Sequence, residues 1–122
     1  MGLDMYVEKK NRRTGQSEEL IYWRKANQIH SWFVDIIQHG EDDCGVYYIS
    51  WGVLQDLKDI CEQVLEDRSR AEELLPTRRG FFFGSTEYNE DYFKELENTV
   101  AAIEDISLDD ISDCDLFYNA SW

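Results

Sequence analysis

Three consecutive phenylalanines, Phe81, Phe82 and Phe83, stand between Gly80 and Gly84, after the one proline, Pro76, and before a new helical pattern. Aromatics at successive positions put bulk on both faces of a strand, which suits only a strand covered on both sides. The bracketing glycines allow sharp turns or close backbone approach. Residues 81–83 are therefore expected at the sheet centre, with residues 84–86 at the edge of any functional site.

The rest of the chain supplies elements to surround it. Alternation over residues 3–8 predicts a half-buried strand with Leu3, Met5 and Val7 facing inward. Residues 9–17, with Thr14-Gly15 in the middle, predict a hairpin loop, and 19–23 the returning strand. From Arg24 the period changes. Ala26, Ile29, Phe33, Ile36 and Ile37 share one helical face, which His39-Gly40 closes. Residues 45–49 predict a short strand. Ser50 is a good N-cap for the clearest helix, striped by Val53, Leu54, Leu57, Ile60, Cys61, Val64 and Leu65. A short helix over 69–75 stops at Pro76. Asn89 caps a third main helix, with Glu90 and Asp91 at its positive end and Tyr92, Phe93, Leu96, Val100 and Ile103 as its stripe. Residues 107–115 are acidic and irregular, with Leu108 and Ile111 tucked down, and 116–118 predict a last strand. The order predicts one α+β domain over residues 1–122. It has a single small mixed or antiparallel sheet of about four to five strands, and three main helices packed largely on one face.

Hydrophobic residues at 43% are ample for a core despite the formal charge of −14, which argues against disorder. The charge is uneven. Eleven carboxylates lie between Glu87 and the C-terminus against one basic residue, Lys94, whereas Lys9, Lys10, Arg12, Arg13, Arg24 and Lys25 give the first 25 residues a slight positive excess. Such a chain repels phosphate, which argues against direct nucleic-acid or anionic-membrane binding and favours partners with basic surfaces. Three cysteines with no close pair, Cys44, Cys61 and Cys114, fit a reducing compartment. The opening Met-Gly-Leu-Asp-Met-Tyr lacks the basic and apolar regions of a signal peptide, so a cytoplasmic location is expected.

Several stretches stand out together: Met-Gly-Leu-Asp-Met-Tyr at 1–6, Tyr22-Trp23-Arg24-Lys25-Ala26-Asn27 with Ile29-His30, Asp42-Asp43-Cys44, residues 73–77, residues 80–88 and the closing Ser121-Trp122. The chain resembles, over nearly its whole length, a family of small uncharacterised proteins of bacteriophages and other mobile elements. The resemblance implies a setting accessory to phage infection and carries over no catalytic residue. A phosphoglycerate kinase label borne by some members does not suit 122 residues without a P-loop glycine motif.

Two groups of residues are candidates for a site. Arg24, Asn27 and His30, at steps of three, line one edge of the predicted helix. Facing Ser85, Thr86 and Tyr88, they would make a small polar ligand pocket. The simpler reading, and the favoured one, has Arg24 as a surface or interface cation and His30 as a satisfied helix residue. The second group is Asp109, Asp110, Asp113 and Asp115, a partner-binding face. Duplex DNA carries about one charge per 1.7 Å of axis, so closely spaced carboxylates on one surface would imitate it. The bland alternative is a solvated surface that maintains solubility. Asp42, Asp43 and Cys44 near His30 and His39 match no zinc or calcium spacing, and a solvated loop is the simpler reading. Cys61 falls in an apolar stripe, and Cys44 has acidic neighbours that blunt a thiolate.

The sequence thus predicts a non-enzymatic accessory protein that acts by protein–protein interaction, as an acidic inhibitor of a host defence or nucleic-acid-handling protein. No cofactor or metal is expected. The alternative is a ligand-binding or enzymatic domain around Arg24, His30 and Thr86. A third reading is a homo-oligomer assembled through Trp32, Trp51 or Trp122.

Overall fold

The computed structural model describes residues 2–80 and 84–122. The expected central strand at residues 81–83 lies outside the described residues. The sheet has four antiparallel strands in the order β2-β1-β4-β3, so β1 and β4 hold the middle.

Strands β1 (Asp4–Asn11) and β2 (Ser17–Arg24) form the N-terminal hairpin. Its turn is tighter than the predicted loop, because Asn11 accepts from the Arg13 and Thr14 amides and its backbone carbonyl from Gly15, where φ is +75°. An Asx-type turn of this kind needs a short polar side chain followed by a residue that tolerates positive φ. The strands therefore run on through Lys9 and Lys10 on one side and from Ser17 on the other. Strand β4 (Cys114–Ser121) pairs with β1 along its whole length and with the short β3 (Val46–Ile49) on its other side.

Period-two alternation makes one sheet face apolar. Met5, Val7, Ile21, Trp23, Ile49, Leu116, Tyr118 and Ala120 are buried beneath helices. The helices are α1 (Asn27–Ile37), α2 (Trp51–Glu66) and α4 (Glu90–Glu104), with short α3 (Ala71–Leu74) and α5 (Leu108–Ile111), and a 3-10 turn at Arg68–Arg70. Phe33 of α1 stacks on Tyr118 with ring centroids 3.9 Å apart, and meets Trp23 edge-on. Trp23 Nε1 donates to Thr99 Oγ1 of α4, whose hydroxyl donates back to the Glu95 carbonyl. That satisfies the indole N–H where it is buried. The Ser50 and Asn89 caps form as expected, accepting from the Val53 and Tyr92 amides.

Four expectations change. Arg24 does not open the helix but ends β2. Lys25, at φ +55°, donates its N–H to the Leu3 carbonyl and turns the chain, so α1 begins at Asn27. Ile36 is 52% exposed, because it falls at the rim of the α1 stripe whose buried centre is Ile29, His30, Phe33 and Val34. Residues 107–115 are not irregular throughout, since α5 forms within them. On it Ile111 is buried as expected, but Leu108 is 60% exposed because four residues complete only one turn.

Candidate functional site

The five predicted pocket residues do not line one cavity. Arg24 is exposed and borders a surface cleft of about 230 Å3 together with Lys25, Ser85, Asp91 and Glu95. Burial raises the Glu95 carboxyl above its usual range. Asn27 is buried and ties two segments together, donating to the Ser85 carbonyl at 2.8 Å and accepting from the Arg78 amide at 2.9 Å. Thr86 and Tyr88 meet Thr77, whose hydroxyl donates to the Thr86 carbonyl and whose amide donates to the Tyr88 hydroxyl. The structure therefore brings Asn27 to residues 78 and 85, and leaves Arg24 at a separate opening.

His30 turns to different partners. Its Nδ1 lies 2.6 Å from the Tyr118 hydroxyl and its Nε2 2.7 Å from Asp42 Oδ1. Arg78 Nε stands 3.7 Å from the other Asp42 oxygen, and the Trp122 ring lies beside the imidazole. Burial lowers the His30 pKa; the Asp42 carboxylate opposes that shift and the Arg78 charge reinforces it. A neutral imidazole offers one donor and one acceptor. A carboxylate only accepts, so Nε2–H donates to Asp42 and Nδ1 accepts from Tyr118. Burial holds the Tyr118 phenol well above its usual range, so it stays a donor. Every group in the chain Tyr118–His30–Asp42 is satisfied, and His30 and Tyr118 are sealed from solvent. This geometry locks α1, the loop after it and β4 to one another.

Asp42 is accordingly not a residue of a solvated loop, for it is half-buried between His30 and Arg78. Its neighbour Asp43 is exposed and organises the approach to β3. It accepts from the Tyr47 hydroxyl at 2.7 Å and the Gly45 amide at 2.8 Å, which hold its carboxyl below the usual range. Sequence reasoning missed Asp42 and Tyr118 as partners of His30, and Arg78 as the cation beside Asp42. Tyr118 is 88 positions away, and no local pattern signals such a contact.

The acidic C-terminal segment meets the basic hairpin. Arg12 pairs with Asp115 at 3.1 Å and donates to the Ser112 and Cys114 carbonyls, while Lys9 Nζ donates to the Asp110 carbonyl. Among the described residues the carboxylates of Asp109, Asp110 and Asp113 have no ion pair, and all three residues are exposed. The α5 segment also contributes Leu108 and Ile111 to a cleft of about 280 Å3 that Arg12, Tyr48, Ile49, Trp51 and Leu116 line with it, while Asp110 borders a different opening with Lys9 and Glu18. Tyr48 and Leu108 are more than half exposed there.

Among the described residues, no group of three or more His, Cys, Asp or Glu side chains is placed to hold a metal. In the same residues no helix is long and apolar enough to cross a membrane. Compared with protein-family models, curated proteins and solved structures, the chain matches none.

Proposed function

We propose that this chain is an acidic interaction protein that binds a partner with a basic surface at the α5 end of its sheet. The observation that carries the reading is the cleft lined by exposed Leu108 and Tyr48 and half-buried Trp51, on a segment around α5 that also carries Asp109, Asp110 and Asp113, exposed and without an ion pair among the described residues. An apolar centre with a polar rim is the common anatomy of protein interfaces. Rim carboxylates steer a basic partner and exclude acidic ones. The engagement of His30 and Tyr118 in the core and the burial of Cys61 support a role without catalysis.

The resemblance to bacteriophage and mobile-element proteins extends the proposal. The protein acts as an accessory factor in the cytoplasm of the host. Its target is a defence or nucleic-acid-handling protein whose basic groove the carboxylates occupy in place of phosphates. Asp115 contributes less than its three neighbours, because Arg12 already neutralises it.

The test is capture from bacterial lysate at low and high salt, with wild type beside an Asp109→Asn, Asp110→Asn, Asp113→Asn variant. One dominant basic partner, lost at high salt and bound about tenfold more weakly by the variant, is the expected result. Equal capture by both proteins would place the interface elsewhere.

A second reading draws on the cleft that joins Arg24 and Lys25 to Ser85, where cations and carboxylates share one opening. A small ligand binding there would make the chain a ligand-binding domain, and ligand screening by thermal shift detects it.

A further inference from the structure

We infer that the outer edge of β3 receives an extended, basic segment of the partner as a fifth strand of the sheet. This rests on the interaction-protein reading and specifies its mode of contact.

The two edges of the sheet differ. The β2 edge carries exposed Glu18, Glu19 and Arg24, and its register with β1 shifts at Val7 and Glu8. Charges and bulges are the usual devices that keep an edge from pairing further. The β3 edge has neither. Residues 45–50 read Gly-Val-Tyr-Tyr-Ile-Ser, with no charge and no proline. Val46 to Ile49 pair with β4 alone, and among the described residues their backbone makes no other hydrogen bond. In an antiparallel ladder alternate residues aim their N–H and C=O at the partner strand, so the others here face outward.

Both faces beside this edge are prepared for alternating side chains. On the outer face Val46 and Tyr48 are 66% and 64% exposed, and Tyr48 meets Phe117 edge-on. On the inner side Ile49 is buried, and the cleft with Trp51, Leu108 and Ile111, which Tyr48 also borders, opens beside it at the end of the strand. A strand added at this position would present every second side chain to each of these surfaces, the arrangement of strand addition.

Charge identifies the occupant. Glu41 and Asp43 stand just before β3, and at its end the cleft joins Ile49 to Leu108 and Ile111 of the segment that carries Asp109, Asp110 and Asp113. The one cation lining that cleft among the described residues, Arg12, is already paired with Asp115. A second copy paired antiparallel across a two-fold axis would set Glu41 and Asp43 of each chain against the α5 carboxylates of the other. Like charges so placed are repulsive, and the chain carries −14 overall. A segment bearing lysine or arginine meets complementary charge at both ends of the strand.

The probe is a ten-residue peptide of alternating valine and lysine, compared with its fully N-methylated counterpart. The counterpart keeps the side chains and charge but has no N–H to donate to the ladder. Calorimetric titration is combined with amide exchange on residues 46–49. The expected result is about tenfold tighter binding of the parent peptide and slowed exchange confined to the β3 edge. If both peptides bind alike and the Asp109, Asp110, Asp113 neutralised variant loses both, strand addition is wrong while the acidic interaction reading stands. Absence of binding by either peptide overturns strand addition. A dimer in light scattering with β3 amides protected before peptide is added assigns the edge to a second copy and overturns it too.

Discussion

The Tyr118 hydroxyl lies 2.6 Å from His30 Nδ1, a buried bond between the last strand and the first helix. Tyr118 also stacks its ring on Phe33, so packing and hydrogen bonding fix one side chain from two directions. Replacing Tyr118 by Phe keeps the stack and leaves Nδ1 without its donor. An orphaned buried acceptor costs about 1–3 kcal/mol. Urea unfolding of Tyr118→Phe is expected to show that loss with an unchanged m-value. A loss under 0.5 kcal/mol, on the scale of ordinary surface changes, would mean that the bond is replaced by water.

The second prediction concerns pH. Burial holds the folded-state pKa of His30 below 6.5, so the unfolded chain takes up a proton first as pH falls. Stability is then full above 6.5 and declines as pH drops toward the folded value, at most by about 1.4 kcal/mol per unit for one proton. Glu95 works in the opposite sense, because its raised pKa stabilises the fold at low pH and that contribution is lost on going up. The difference between wild type and His30→Gln isolates the histidine. Unfolding midpoints measured from pH 7 to 5 should fall more steeply for wild type; parallel curves would mean that His30 does not titrate differently in the two states.

Asn27 holds residues 78 and 85 against the start of α1 through both ends of its amide. Asn27→Ala removes two buried hydrogen bonds and is expected to cost about 1–3 kcal/mol. The loosening should be local. Hydrogen exchange in residues 77–80 and 84–88 should accelerate while α2 amides stay protected. Uniform acceleration would make Asn27 a global core residue.

Arg12 and Asp115 form a solvent-exposed pair, and such pairs contribute about 0.2–1 kcal/mol. Asp115→Asn should therefore shift stability slightly, and less in high salt. Arg12→Ala should cost more, since its guanidinium also donates to the Ser112 and Cys114 carbonyls. Thermal melts at two salt concentrations compare the two variants; equal, salt-independent losses would show that the clasp is carried by packing.

The elements that were legible in the sequence are those with local signals. The α2 and α4 stripes, the Ser50 and Asn89 caps and the hairpin around Gly15 each declare themselves within one window of residues. The strand order was not legible, because β1 finds β4 across more than a hundred positions and their alternation fits several partners. The boundary at Arg24 is not legible for a different reason. A lysine at positive φ ends the strand and delays the helix, and nothing in propensity marks Lys25 for it. Of the candidate site, Asn27 and His30 were visible as polar residues on a largely apolar helix. Their partners Arg78, Asp42 and Tyr118 come from three separate elements and emerge only in three dimensions.

Cysteine chemistry supplies the last prediction. Cys61 is sealed in the α2 face that packs on α4, and burial pushes its thiol up to about 12. The thiolate is the reactive form, so a group held this far up is inert at neutral pH. Cys44 is exposed in the loop before β3. In native protein at pH 8, an aromatic disulfide reagent should modify Cys44 rapidly and Cys61 only on the timescale of unfolding, with Cys114, half-buried at the start of β4, in between. Denaturant should make all three equivalent. Rapid native labelling of Cys61 would show that the α2–α4 layer opens without global unfolding.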